Sequence, residues 1–274
     1  MYGRRTITPA LRSQAVWLST IKRPSPIFVL LVAAAGASGI AAWNDDLRTG
    51  RTYAVFAFVL LGWVISLCLH EFAHARTAFA AGDTSVAEKG YLSLDPRKYL
   101  HPGLSILMPI VFLLMGGIGL PGGAVWIQMG AIRTRAKRSL VSAAGPLTNL
   151  ALGVILALPF RLFPTLIERR PVFASALAFL ALLQFIAALL NAFPLPGLDG
   201  FGVLEPYLPR SLLQAIAPYR QYSIVVLFIL AWRTAWFSDL VFGNSRALLE
   251  AIGGDSVLSG VSQVGSLLFR FWER

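Results

Sequence analysis

The feature that most limits what this chain can become is its series of long apolar runs. Residues 27–43, 53–81, 139–160, 172–193 and 222–240 are dominated by Ala, Leu, Val, Ile and Phe, with polar stretches between them. A helical crossing of a bilayer takes about 20 apolar residues, and these runs sit near that length. Backbone N–H and C=O groups find no water in hydrocarbon, so such runs must close their hydrogen bonds internally, as helices. With the shorter apolar piece 104–115, the expectation is an all-α polytopic membrane protein of about six transmembrane helices.

One stretch resists that pattern. Gly116, Gly117, Gly119, Pro121, Gly122 and Gly123 are too many helix breakers for a straight span, and residues 124–129 read as a short strand. Irregular backbone at membrane depth is tolerated where protein or a water-filled cavity covers it, so residues 116–130 are expected to form a short re-entrant, strand-like segment. The division that follows is a basic N-terminal tail at 1–26, a membrane-embedded core at 27–240 and a C-terminal surface segment at 241–274. Arg4, Arg5, Arg12, Lys22 and Arg23 precede the first long run, which argues against a cleavable signal peptide.

The net charge of +11 invites a nucleic-acid reading, but Lys and Arg lie in short clusters between apolar runs. That placement fits topology signals and lipid headgroup contacts, and no nucleic-acid partner is expected. Cys68 is the sole cysteine, so no internal disulfide can form, and it reads as a small buried hydrophobe.

Chemistry enters in the last third of the second run, at His70-Glu71-Phe72-Ala73-His74. On a helix, residues four apart share a face, so both imidazoles can reach one metal ion. Glu71 lies about 100° around from His70, near enough to hold a water beside that metal without ligating it. Two of the three histidines of the chain stand in this motif, and charged groups deep in a membrane helix are costly and mark function. A catalytic zinc takes three protein ligands. Asp199, which follows an apolar run and a Pro-interrupted segment able to unwind a helix, is the best placed third donor; His101 and Glu205 are alternatives.

His70–His74 together with Asn191-Ala192-Phe193-Pro194-Leu195-Pro196-Gly197-Leu198-Asp199-Gly200 resembles the paired signature of the site-2 protease family of intramembrane zinc metalloproteases. Between them, Ala144-Gly145-Pro146-Leu147-Thr148-Asn149 resembles that family's A-G-P-x-x-N helix, and the resemblance covers residues 53–205. It implies one zinc per chain held by His70, His74 and Asp199, with Glu71 as the catalytic base and Asn191 as a polar group near the reacting carbonyl. It implies a transmembrane protein as substrate. Two departures bear on substrate preference: His101 stands where the compact bacterial branch often has Asp, and residues 122–130 replace a more proline-rich strand. No segment has room for the PDZ domain of some members.

Charge sets the expected orientation. A cytoplasmic N-terminus brings the second run back toward the cytoplasm, with His70 and His74 on that side. If residues 104–130 enter and leave on one face, Arg133, Arg135, Lys137 and Arg138 are cytoplasmic and Asp199 reaches the depth of the histidines. Arg161, Arg169 and Arg170 then face outward, against the rule. A bacterial inner membrane is the expected location. A metal transporter would distribute polar residues along several spans, and a non-catalytic scaffold would lack one of the four motif residues; both remain as alternatives.

Overall fold

The computed structural model describes residues 23–44, 50–99 and 125–270. His101, the apolar piece 104–115, the first part of the re-entrant segment and nearly all of the N-terminal tail lie outside the described residues. Within them the protein is helical, without a strand, and four helices are long and apolar enough to cross a membrane.

The first, α1 (Pro26–Trp43), starts where Ser25 Oγ accepts from Phe28 N at 3.1 Å and Pro26 presets the first turn. It packs on α2 (Arg51–Ala81) and otherwise turns Val29, Leu30, Val32 and Ile40 outward. α3 (Arg135–Leu162) is capped by Thr134, whose Oγ1 accepts from Lys137 N at 3.3 Å. α4 (Pro171–Ala192) runs through the middle, in contact with α1, α2 and α3 and buried on nearly every side. A helix apolar all round belongs either in such an interior or in lipid, and α4 takes the interior. Arg170, just before α4, donates to the Trp43 carbonyl at 3.1 Å and stacks on the Trp43 ring, tying the start of α4 to the end of α1.

Phe193-Pro194 ends α4, because the residue before a proline avoids the helical region; Phe193 is extended at φ −68°, ψ 135°. The chain turns through residues 194–198 into α5 (Asp199–Leu204), which lies against α3. α6 (Arg210–Ile216) and α7 (Ser223–Arg233) follow across a 72° bend, and counting that bent pair as one span raises the candidates to five.

Three expectations meet a different arrangement. The run 222–240 is not one helix: α7 ends at Thr234, which is extended and sends its Oγ1 back to the Leu230 carbonyl at 2.6 Å, a local bond that competes with continuing the helix. The C-terminal region is no surface appendage, since α8 (Asn244–Gly253) packs on α3 and α4, and α9 (Leu258–Phe269) on α2 and α4, with Leu249, Leu258 and Phe269 inside. Residues 125–128 carry no strand pairing and run into a tight turn at Met129–Ala131.

Candidate metal centre

α2 delivers His70 and His74 from one face, with their ring centroids 4.7 Å apart, and both are buried between α2, α3 and α5. α5 delivers Asp199. Its Oδ2 lies 3.1 Å from His70 Nε2 and 3.3 Å from His74 Nε2, while the two Nε2 atoms are 3.0 Å apart. Four tetrahedral bonds of zinc to nitrogen and oxygen place neighbouring donors about 3.3 Å apart, so this spacing matches one ion at the centre of the three.

Donor chemistry points the same way. The His74 Nδ1–H donates to the Val141 carbonyl at 2.7 Å; a carbonyl can only accept, so the neutral ring presents a bare Nε2 lone pair. His70 Nδ1 meets Asn149 Oδ1 at 2.5 Å, and the Asn149 Nδ2 donates onward to Gln184 Oε1 at 2.8 Å. His70 therefore also turns a lone pair toward Asp199. With both rings neutral, three lone-pair donors converge on one point, an arrangement that a cation relieves and that metal-ligating histidines build by bonding away their other nitrogen.

Two glycines admit this close packing. A Cβ on Gly145 of α3 would run into Nε2 of both histidines, so the backbone of α3 can flank the site only because that side chain is missing. A Cβ on Gly200 would overlap the Ala192 carbonyl, and its absence lets the first turn of α5 fold back on the end of α4 with Asp199 aimed at α2.

Glu71 is buried next to the pair, and its Oε2 accepts from Val125 N at 3.0 Å. The chain beyond Val125 is held along the end of α2 by two further side chains. Asp83 Oδ2 accepts from Gln128 N at 2.7 Å, and the Lys89 ammonium donates to the Trp126 carbonyl at 2.8 Å. Asn191 does not join the cluster: its Nδ2 donates to Ala187 O at 3.0 Å, within α4. Glu205 pairs instead with Arg220. Sequence reading attached no role to Asn149 and passed over Gln184 and Ser66. Their signal was present, since a glutamine in the run 172–190, whose sole other polar residue is Ser175, has no reason to be there unless a partner inside the bundle satisfies it.

Membrane-length helices thus enclose a His-His-Asp donor set that could hold a metal ion, its two imidazoles buried and Asp199 half-buried, with Glu71 beside it. No family model matches the chain. It is 44% identical over 259 residues, 91% of its length and 95% of the relative's, to the Mycobacterium tuberculosis protein named "Putative zinc metalloprotease Rip2". A protein of the same name from Mycolicibacterium smegmatis is 44% identical over 255 residues, and "Putative zinc metalloprotease YwhC" of Bacillus subtilis is 28% identical over 182 residues, covering 65% of this chain and 81% of the relative. The chain belongs to this family of zinc metalloproteases. No solved structure matches it.

Proposed function

We propose that the protein is a zinc-dependent intramembrane endopeptidase of site-2 type that hydrolyses peptide bonds within or near transmembrane helices of membrane protein substrates. The observation that carries this reading is the convergence of His70 Nε2, His74 Nε2 and Asp199 Oδ2, three lone-pair donors at tetrahedral spacing inside a bundle of membrane-length helices. These three residues would hold one zinc, which supplies a Lewis acid able to acidify a water and polarise a carbonyl.

The chain's own residues supply the rest. Glu71 takes the proton of the attacking water and later returns it to the leaving amine. Asn191 releases the Ala187 carbonyl and donates to the substrate carbonyl. A helical substrate must unwind before its peptide bonds are open to attack, and it would lie along residues 125–128, whose Val125 N–H is held by Glu71. With about six crossings and the basic loops inside, the site faces the cytoplasm of a bacterial cell.

Metal analysis of the purified full chain tests the foundation. About one zinc per chain in the unaltered protein, lost in both His70→Ala and Asp199→Ala, is the expected result. Zinc retained by Asp199→Ala would remove Asp199 from the ligand set.

A further inference from the structure

The zinc reading above leaves a question of chemistry: what makes His70 bind through Nε2 rather than Nδ1? A neutral imidazole carries its proton on either nitrogen, and the partner of the other nitrogen decides. For His74 that partner is the Val141 carbonyl, which cannot donate. For His70 it is the side-chain amide of Asn149, which offers an acceptor at one end and a donor at the other. Turned around, Asn149 would present N–H groups to Nδ1 and hold the His70 proton on Nε2, where the metal must bind.

The answer lies in a buried row of side chains. Asn149 Nδ2 donates to Gln184 Oε1 at 2.8 Å, Gln184 Nε2 donates to Ser66 Oγ at 3.1 Å, and Ser66 Oγ–H donates to the Trp63 carbonyl at 2.7 Å. Read from the far end, one order of donors and acceptors keeps every bond. The Trp63 carbonyl can only accept; Ser66 donates its single proton there and so can only accept from Gln184, and turning the whole row around would give up that bond. Gln184 must then direct its NH2 to Ser66 and its oxygen to Asn149. Asn149 must direct its NH2 to Gln184 and its oxygen to His70, which leaves the His70 proton on Nδ1. Gln184 has no exposed surface and Ser66 and Asn149 almost none, so water cannot rescue one amide reversed alone, which would set oxygen against oxygen, and reversing both takes the Ser66 proton from the Trp63 carbonyl.

We infer that Gln184 is a positioning residue: through Asn149 it fixes the tautomer of His70, from an anchor at the Trp63 carbonyl two turns up the same helix. It touches neither metal nor substrate. The inference rests on the zinc site proposed above.

The test exploits the two unequal ends of an amide. In the full chain, zinc affinity is measured by chelator competition on the detergent-solubilised protein, with folding followed by circular dichroism. Gln184→Leu, similar in volume, is expected to weaken zinc binding about 10-fold, the low end of the loss of an outer partner of a ligating histidine, because His70 keeps Asn149 but Asn149 is free to turn. Asn149→Asp presents an acceptor whichever way it turns, so it should bind zinc at least as tightly as the unaltered chain. In the Asn149→Asp background there is no orientation left to choose, and adding Gln184→Leu should change affinity by less than about threefold. An equal loss from Gln184→Leu in both backgrounds would mean that Gln184 only packs, and would overturn the inference while leaving the zinc site intact. Unchanged affinity in the single variant would overturn it as well. Failure of the unaltered chain to bind zinc would instead overturn the zinc reading itself, and this inference with it.

Discussion

α1 and α4 look alike as sequences: both are long apolar runs that begin with a proline at the first helical turn. In the fold they are opposites. In the most apolar part of each, 17% of the residues are buried in α1 and 83% in α4. The difference is legible only in their polar residues. α1 carries Ser38, which bonds back to Ala34 in its own helix at 2.8 Å, and no residue that reaches another helix through a polar side chain. α4 carries Gln184 in the row that ends on His70. Apolarity assigns a helix to the membrane. A polar side chain that needs a distant partner assigns it to the interior, because lipid offers that partner nothing.

Substitutions can break or sharpen that contrast. The largest effect belongs to the site the interior helices enclose: Glu71→Gln is expected to lower cleavage of a transmembrane substrate by about 10²- to 10⁴-fold while zinc content stays unchanged. Near-normal cleavage by that variant would remove Glu71 as the base. On α4, Phe185 is fully buried and fills the space left by Gly153 of α3. Phe185→Ala should destabilise the fold by about 3–5 kcal/mol, read as a fall in the thermal midpoint of zinc-loaded protein. At the small end, Leu30 of α1 is 69% exposed, and Leu30→Ala should shift stability by no more than about 0.5 kcal/mol in detergent. A loss at Leu30 equal to that at Phe185 would mean that α1 is covered by another chain, and the contrast between the two helices would fail.

His70, Glu71 and His74 were legible because their spacing matches the helical period; everything the motif needs is local. Asp199 was legible in part, from a proline-broken segment that had to bring a carboxylate inward. Its arrival beside His70 depends on Gly200 and Gly145, whose missing side chains matter only once α4, α5 and α3 are packed. Asn191 is placed by its motif as a polar group near the reacting carbonyl, and in the fold its amide bonds the Ala187 carbonyl within its own helix, which it would have to release to meet a substrate. The run 222–240 read as one span because hydropathy averages over Arg233-Thr234, whereas the backbone breaks there. The C-terminal helices read as surface because their sequence is mixed; their apolar faces acquire meaning against α3 and α4 alone.

Composition and local spacing by themselves determined that this chain lives among helices in a membrane and that one helix presents two imidazoles and a carboxylate. Both follow from short-range physics, the solvation of backbone groups and the pitch of the helix. Which carboxylate meets those imidazoles, which amide faces His70, and which of two similar apolar helices becomes the centre of the bundle were decided by tertiary structure. Those outcomes depend on groups far apart in sequence, such as Ser66, Asn149 and Gln184, that share one buried space where every donor must find an acceptor.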